Sequence, residues 1–459
     1  MSDNTIALAE FVRATAAEFD VPGVAVGIWS GGAEIYVSHG VNSIVDPEPV
    51  DRDTVFVLGS LAKPFTATAL MRLVADGRVE LDAPVRRYLP EFTLPDEQAA
   101  AEITVRQLLN HTAGLDWRLR DDTGEGDDAL ASYVAKLADL ALIGKPGEQA
   151  SYSQIGFNLA GRIIEKVTGE TFENAVGSLL LEPAGLAHTT YADLPAVTHR
   201  VSKGHNRNED GTLSDAGRWK DSRANNAGGA AASSVADVLR LARLHLRDGR
   251  TDDGVRLLPA DLVRQMREPT VEVPNSSLAD AFGICWFLKE IAGTATFGHG
   301  GSTNGQFTDL LIVPGHDFAI TVATNEGPDG GMAVIKAVTA WALEHYLGLV
   351  DVAPEPIPFD PARAAEIVGT YGNDVMTVDI ATDGTGLTIE CMIRPEIRAA
   401  AGAEVPADLP AAPMGLLPGD TDEYIVTAGG LEGQRGRFSR AADGTVTGFG
   451  LAGRAFTRR

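Results

Sequence analysis

Strand-forming runs stand at both ends of the first 350 residues, with a long helical stretch between them. Residues 23–40 (GVAVGIWSGGAEIYVSHG) alternate around Gly31-Gly32 as a hairpin does. Residues 305–324 (GQFTDLLIVPGHDFAITVAT) give two more strands around Pro314-Gly315, and 331–347 reads as a helix. Helical patterns dominate from 60 to 180. This order predicts one sheet assembled from both ends of a domain, with helices packed on it.

The texture changes after residue 350. Residues 351–363 (DVAPEPIPFDPAR) are rich in proline and read as a linker. Short β-like runs follow at 375–380, 386–394, 423–428, 436–440 and 445–457, with Asp-Gly turns at 383–384 and 443–444. They predict a small antiparallel barrel or sandwich. The Ala- and Pro-rich segment 398–413 reads as a mobile loop. A chain of 459 residues exceeds one ordinary core. The expected division is therefore a first domain over 1–350, a linker over 351–363 and a second domain over 364–459.

Within the first domain, residues 58–66 read LGSLAKPFT. Ser60 and Lys63 are three apart, a spacing that puts two side chains on one helical face. A serine hydroxyl is a weak nucleophile at neutral pH and needs an adjacent base, which the lysine amine can supply. An apolar, β-branched approach (Thr54–Leu58) leads to Gly59, and a helical run follows to Gly77. Ser60 is therefore expected at a helix N-terminus, where the dipole favours a developing oxyanion.

Two further segments carry chemistry only beside that pair. Tyr152-Ser153-Gln154 precedes an amphipathic helical run. A tyrosine next to a lysine ammonium would lose its proton more easily and act as a general base. His299-Gly300-Gly301-Ser302 follows the weak strand TATFG, and its glycines would let a strand edge approach a ligand. The nine histidines show no metal-binding spacing, so no metal or cofactor is expected.

The net charge of −25 argues against nucleic acids and anionic membranes as partners. No apolar run approaches a bilayer span, and the acidic N-terminus shows no secretory signal. The expectation is a cytoplasmic protein, with Cys285 and Cys391 reduced and structural.

Taken together, Ser60-Leu61-Ala62-Lys63, Tyr152-Ser153-Gln154 and His299-Gly300-Gly301 resemble the motif set of the penicillin-recognising serine hydrolases. The match is to the branch holding class C β-lactamases, D-aminopeptidases and related esterases. Residues 103–115 (ITVRQLLNHTAGL) are similar to that branch's "LLxHTSGL" stretch, and the resemblance covers residues 5–348. It implies an α+β fold of the β-lactamase/transpeptidase type: an antiparallel sheet flanked by helices, plus a helical subdomain. Ser60 would be the acyl-accepting nucleophile, Lys63 would take or share its proton, and Tyr152 would relay it to the leaving group. The N–H groups of Ser60 and Ser302 would form the oxyanion hole beside Gly301. His299 stands where β-lactamases place a lysine, and would orient Tyr152 or pass a proton to the incoming nucleophile. Gln154 replaces the usual asparagine, a substrate-amide contact, and so would reshape the pocket.

Catalytic domain plus a lipocalin-like barrel looks like the penicillin-binding-protein-type thioesterases, which release nonribosomal peptides from a carrier protein by head-to-tail cyclisation. That likeness implies a peptidyl thioester donor ending in a D-residue. Gly453-Arg454 resembles a Gly-Arg element of that group's barrel, through which Arg454 would contact the peptide. The same acyl-enzyme could instead be released by water, as in a D-stereospecific aminopeptidase, amidase or esterase. A non-catalytic binding module on the same fold is the third alternative.

Overall fold

The two glycines at 31–32 take positive φ (56° and 85°) and turn the strand Gly23–Ser30 back as Ala33–Gly40. In the computed structural model, all residues are described except 1–2, 116–121, 192–199, 209, 218–221, 274–275, 328, 402–407 and 420. This hairpin is one edge of an eight-stranded antiparallel sheet. From that edge its order is 33–40, 23–30, 318–324, 306–313, 294–303, 287–291, 281–282 and 271–272. The N-terminal hairpin thus pairs directly with Phe318–Thr324, close to the far end of the domain.

Helices Asp3–Glu18 and Asp329–Ala342 cover one face around Leu8, Val12, Ile320, Val322, Val334 and Val338. The helix Val235–Leu246 lies on the other face. Beyond it stands a helical region that includes Lys63–Ala75 and Ile155–Thr168. Lys63–Ala75 is buried along nearly its whole length, so it forms the centre of the larger core. Pro64 sits in its first turn, where a missing N–H breaks no helical bond.

The proline-rich stretch carries no regular structure as far as Asp360, which caps the helix Pro361–Ile367 by accepting from Ala362 N–H and Arg363 N–H. Eight strands then close an up-and-down barrel, with Gly369–Gly372 pairing to Arg454–Arg458. Its interior is filled by the rings of Tyr371, Tyr424, Phe438, Phe449 and Phe456. Part of the expected loop over 398–413 is instead the strand Leu409–Leu416, while 402–407 lies outside the described residues. Pro410 and Pro413 disguise that strand in the sequence. A β-bulge between Ile389 and Cys391 on the neighbouring strand accompanies them.

The barrel packs its last hairpin onto the first domain. Tyr152 N–H donates to the Gly453 carbonyl at 2.9 Å, and Ala455 N–H donates to Ser151 Oγ at 3.3 Å. Ser277 Oγ hydrogen-bonds Gln434 Oε1 close by. Cys285 and Cys391 are free thiols, buried in different domains. Among the described residues, no helix is long and apolar enough to cross a membrane, and no group of three His, Cys, Asp or Glu could hold a metal ion.

Candidate active site

Ser60 lies in a 3₁₀ turn, Gly59–Ala62, that leads into the helix Lys63–Ala75. The strand Thr294–Thr303 runs against this turn so closely that a Cβ at Gly301 would lie 1.9 Å from the Leu58 carbonyl oxygen and 2.9 Å from Ser60 N. Only glycine permits that approach. A Cβ at Gly59 would in turn sit 2.6 Å from Ser302 N. The backbone nitrogens of Ser60 and Ser302 are thereby brought to one place, beside the serine hydroxyl. From the neighbouring strand Gln306–Val313, Thr308 Oγ1 donates to the Leu58 carbonyl at 2.8 Å and ties that strand to the residue before the turn.

Lys63 is fully buried, and its Nζ lies 3.1 Å from Ser60 Oγ. It also donates to Gln154 Oε1 and to the Gly228 carbonyl, each at 2.7 Å. Gln154 therefore faces Lys63, and its Nε2 donates to Asn225 Oδ1 at 2.5 Å.

Tyr152 is the hub of a group of rings and cations. The His111 ring lies 4.4 Å from it, tilted by 40°, with Phe287 at 5.8 Å and His299 at 6.1 Å. Lys63 Nζ stands 4.9 Å from its ring centroid, and the Arg454 guanidinium 5.1 Å. Burial pushes the Tyr152 phenol well above its ordinary pKa, outweighing the lowering by the nearby Ser60 hydroxyl and by Arg454. The resting residue is thus a protonated phenol and not the easily ionised base expected from the sequence. Its hydroxyl is buried, with the Ser60 hydroxyl as its polar neighbour.

His299 Nδ1 lies 2.6 Å from the Gly300 carbonyl, which can only accept, so the proton sits on Nδ1 and Nε2 carries the lone pair. Burial, with Lys63 adding to it, lowers His299 to about 3, so the ring is neutral near pH 7. Its face packs on Phe287 at 4.1 Å.

His111 has no role assigned by the sequence reading, yet it shapes the site. It holds a left-handed backbone (φ 61°), and its Nδ1 accepts from Ser153 N–H at 3.0 Å. Its carbonyl accepts from Ser151 N–H at 2.9 Å, so His111 grips the chain on both sides of Tyr152. The one sequence signal was its place in the LLNHTAGL stretch.

The structure thus gathers Ser60, Lys63, Tyr152, Gln154, His299, Gly301, Ser302 and Arg454 into one locality. A nucleophile beside an amine, two backbone nitrogens close to it and a protonated phenol can together support acyl transfer. Residues 8–343 match the family described as Beta-lactamase.

The chain belongs to the beta-lactamase family of serine hydrolases.

Penicillin-binding protein 4 of Amycolatopsis lactamdurans is 35% identical over 364 residues, which are 77% of this chain and 94% of that protein. Among solved structures, SurE aligns over 99% of both chains at 26% identity and a TM-score of 0.78. SurE with D-Leu aligns equally fully, with a TM-score of 0.74. The D-amino acid amidase of Ochrobactrum anthropi SV3 has a TM-score of 0.63 over 74% of this chain and 98% of its own, at 23% identity, which is a likeness of fold. In this member of the beta-lactamase family the barrel is part of the alignment with SurE, whereas the amidase alignment covers three quarters of the chain.

Proposed function

We propose that this protein is an acyl-transferring member of the family that releases and cyclises a peptidyl thioester, carried on a small molecule or a carrier protein. The reading rests above all on the barrel hairpin at the site. Gly453 anchors the backbone of Tyr152, and Arg454 covers its ring. A peptide gains a longer wall to lie against and a cation for its carbonyl groups. The likeness to SurE through the barrel, including its structure with D-Leu, supports a donor that ends in a D-residue.

In this scheme Ser60 Oγ attacks the thioester carbonyl and its proton passes to Lys63. The oxyanion is held by the N–H groups of Ser60 and Ser302. The carbon–sulfur bond breaks, and the departing sulfur takes a proton through Tyr152. The peptide's own N-terminal amine then attacks the acyl-enzyme, loses a proton toward Tyr152 or His299, and returns Ser60 to its hydroxyl form. The cyclic product is the linear thioester less one thiol.

Water in place of the amine would make the protein a D-aminopeptidase, amidase or esterase. That second reading draws support from the 33% identity of a 180-residue stretch to esterase EstB of Burkholderia gladioli, about 45% of that enzyme. Liquid chromatography–mass spectrometry separates the two. The substrate is a short peptidyl thioester with a free N-terminal amine and a C-terminal D-residue. A product one water lighter than the linear acid supports cyclisation, and linear acid alone overturns it.

A further inference from the structure

The side chain of Gln154 bridges two elements of the site. Its Oε1 accepts from Lys63 at 2.7 Å. Its Nε2 donates to Asn225 Oδ1 at 2.5 Å and to Asn158 Oδ1 at 3.3 Å. The carbonyl of Gly228, on the turn just after Asn225, takes a second Lys63 hydrogen at 2.7 Å. The space that Gln154 fills exists because residue 228 has no side chain. A Cβ at Gly228 would lie 1.6 Å from Gln154 Nε2 and 2.5 Å from its Cδ. An asparagine at 154 would be shorter by one carbon–carbon bond, about 1.5 Å. That exceeds the slack in hydrogen bonds of 2.5 and 2.7 Å, so asparagine could not hold Lys63 and Asn225 together.

We propose that Gln154 and Gly228 are a matched pair that aims Lys63 at Ser60, and that Gln154 is a positioning residue for the lysine and not a contact for the substrate amide. This rests on Ser60 being the nucleophile. Two carbonyl oxygens occupy two of the amine's tetrahedral directions and leave a third directed at Ser60 Oγ, 3.1 Å away. As Oγ bonds to the acyl carbon, its proton moves to the Lys63 lone pair and the carbonyl π pair becomes the oxyanion. The resulting ammonium donates to both carbonyls, which stabilise the charge inside a buried site. A misaimed amine would slow this step and leave substrate affinity unchanged.

The test follows phosphonylation of Ser60 in the full chain by a fluorophosphonate, read by intact-protein mass, with a melting curve for every variant. The reagent loses fluoride as the serine oxygen bonds to phosphorus, so its rate reports the nucleophile without knowledge of the substrate. Gln154→Asn and Gly228→Ala are each expected to slow labelling about 10- to 100-fold with the saturation constant for the reagent unchanged. The double variant is expected to be no slower than the slower single one, because asparagine leaves room for the alanine methyl. Gln154→Glu places a carboxylate against Lys63 and favours its ammonium, so the acid limb of labelling should move to higher pH. Wild-type labelling in Gln154→Asn, or losses that multiply in the double variant, would overturn the pairing. Should Gly228→Ala fail to fold, the Gln154→Glu profile decides, and an unmoved acid limb refutes the proposal. A wild-type protein that resists the reagent altogether refutes the Ser60 reading itself, and this inference with it.

Discussion

Tyr152 N–H donates to the carbonyl of Gly453 across the boundary between the sheet-bearing domain and the barrel, at 2.9 Å. A residue at the centre of the site is thus held by a turn that lies 301 residues further along the chain, as 453 less 152 gives. The same turn sets the Arg454 guanidinium 5.1 Å from the tyrosine ring.

Arg454→Ala is expected to slow processing of a peptidyl thioester about 10-fold more than hydrolysis of a small ester such as p-nitrophenyl acetate. The small ester lacks the carbonyl groups that the arginine would reach, while the peptide loses a charge-assisted contact of roughly 1.5 kcal/mol. Steady-state kinetics on both substrates check this. Equal losses would make Arg454 a structural residue.

Gly301→Ala should lower kcat by about 10²- to 10³-fold, the usual effect of disabling an oxyanion donor. The added Cβ would lie 1.9 Å from the Leu58 carbonyl oxygen and 2.9 Å from Ser60 N, so the strand and the serine turn must part. Turnover of a small ester, with the melting temperature as a check on folding, measures it.

His299 is neutral down to about pH 3 and therefore carries no titration of its own in the working range. His299→Gln is expected to lower kcat/KM but to keep the shape of its pH profile between pH 5 and 8. A limb that disappears in the variant would show that His299 titrates there.

Acid should destabilise the fold through its buried imidazoles. Burial holds His111 well below its ordinary pKa and brings His245 and His299 to about 3. An unfolded chain binds these protons near pH ~6.5. Between about pH 6.5 and 3 the unfolded state is the more protonated, so stability rises with pH and is lost on acidification. The loss is about 1.4 kcal/mol per pH unit for each of His245 and His299 well inside that range, and His111 adds in the same direction. Urea unfolding between pH 7 and 5 should give a shallower dependence in His245→Gln than in the wild type, and an equal slope would contradict it.

Much of this site is legible in the sequence because its geometry is local. Ser60 and Lys63 are one helical turn apart, and Tyr152 and His299 each sit in a short segment with its own punctuation. The hairpin at 23–40 and the strands flanking 314–315 are legible for the same reason, since glycine and proline mark their turns. What the sequence hides is long-range. The inward aim of Gln154 depends on the absent side chain at Gly228, and the grip of His111 on 151–153 depends on a left-handed backbone that is uncommon outside glycine. The strand Leu409–Leu416 is concealed by its prolines. The raised pKa of Tyr152 comes from burial by residues distributed over the whole chain, and no local pattern encodes it.

The central claim is an acyl-enzyme at Ser60. Intact-protein mass spectrometry, milliseconds to seconds after mixing with a peptidyl thioester, tests it most directly. The wild type should gain the mass of the acyl group, mapped by proteolysis to the peptide that holds Ser60. Ser60→Ala should gain nothing and lose turnover about 10³-fold or more. Product formation at near-wild-type rate by Ser60→Ala, or an adduct mapped to another residue, would contradict the account.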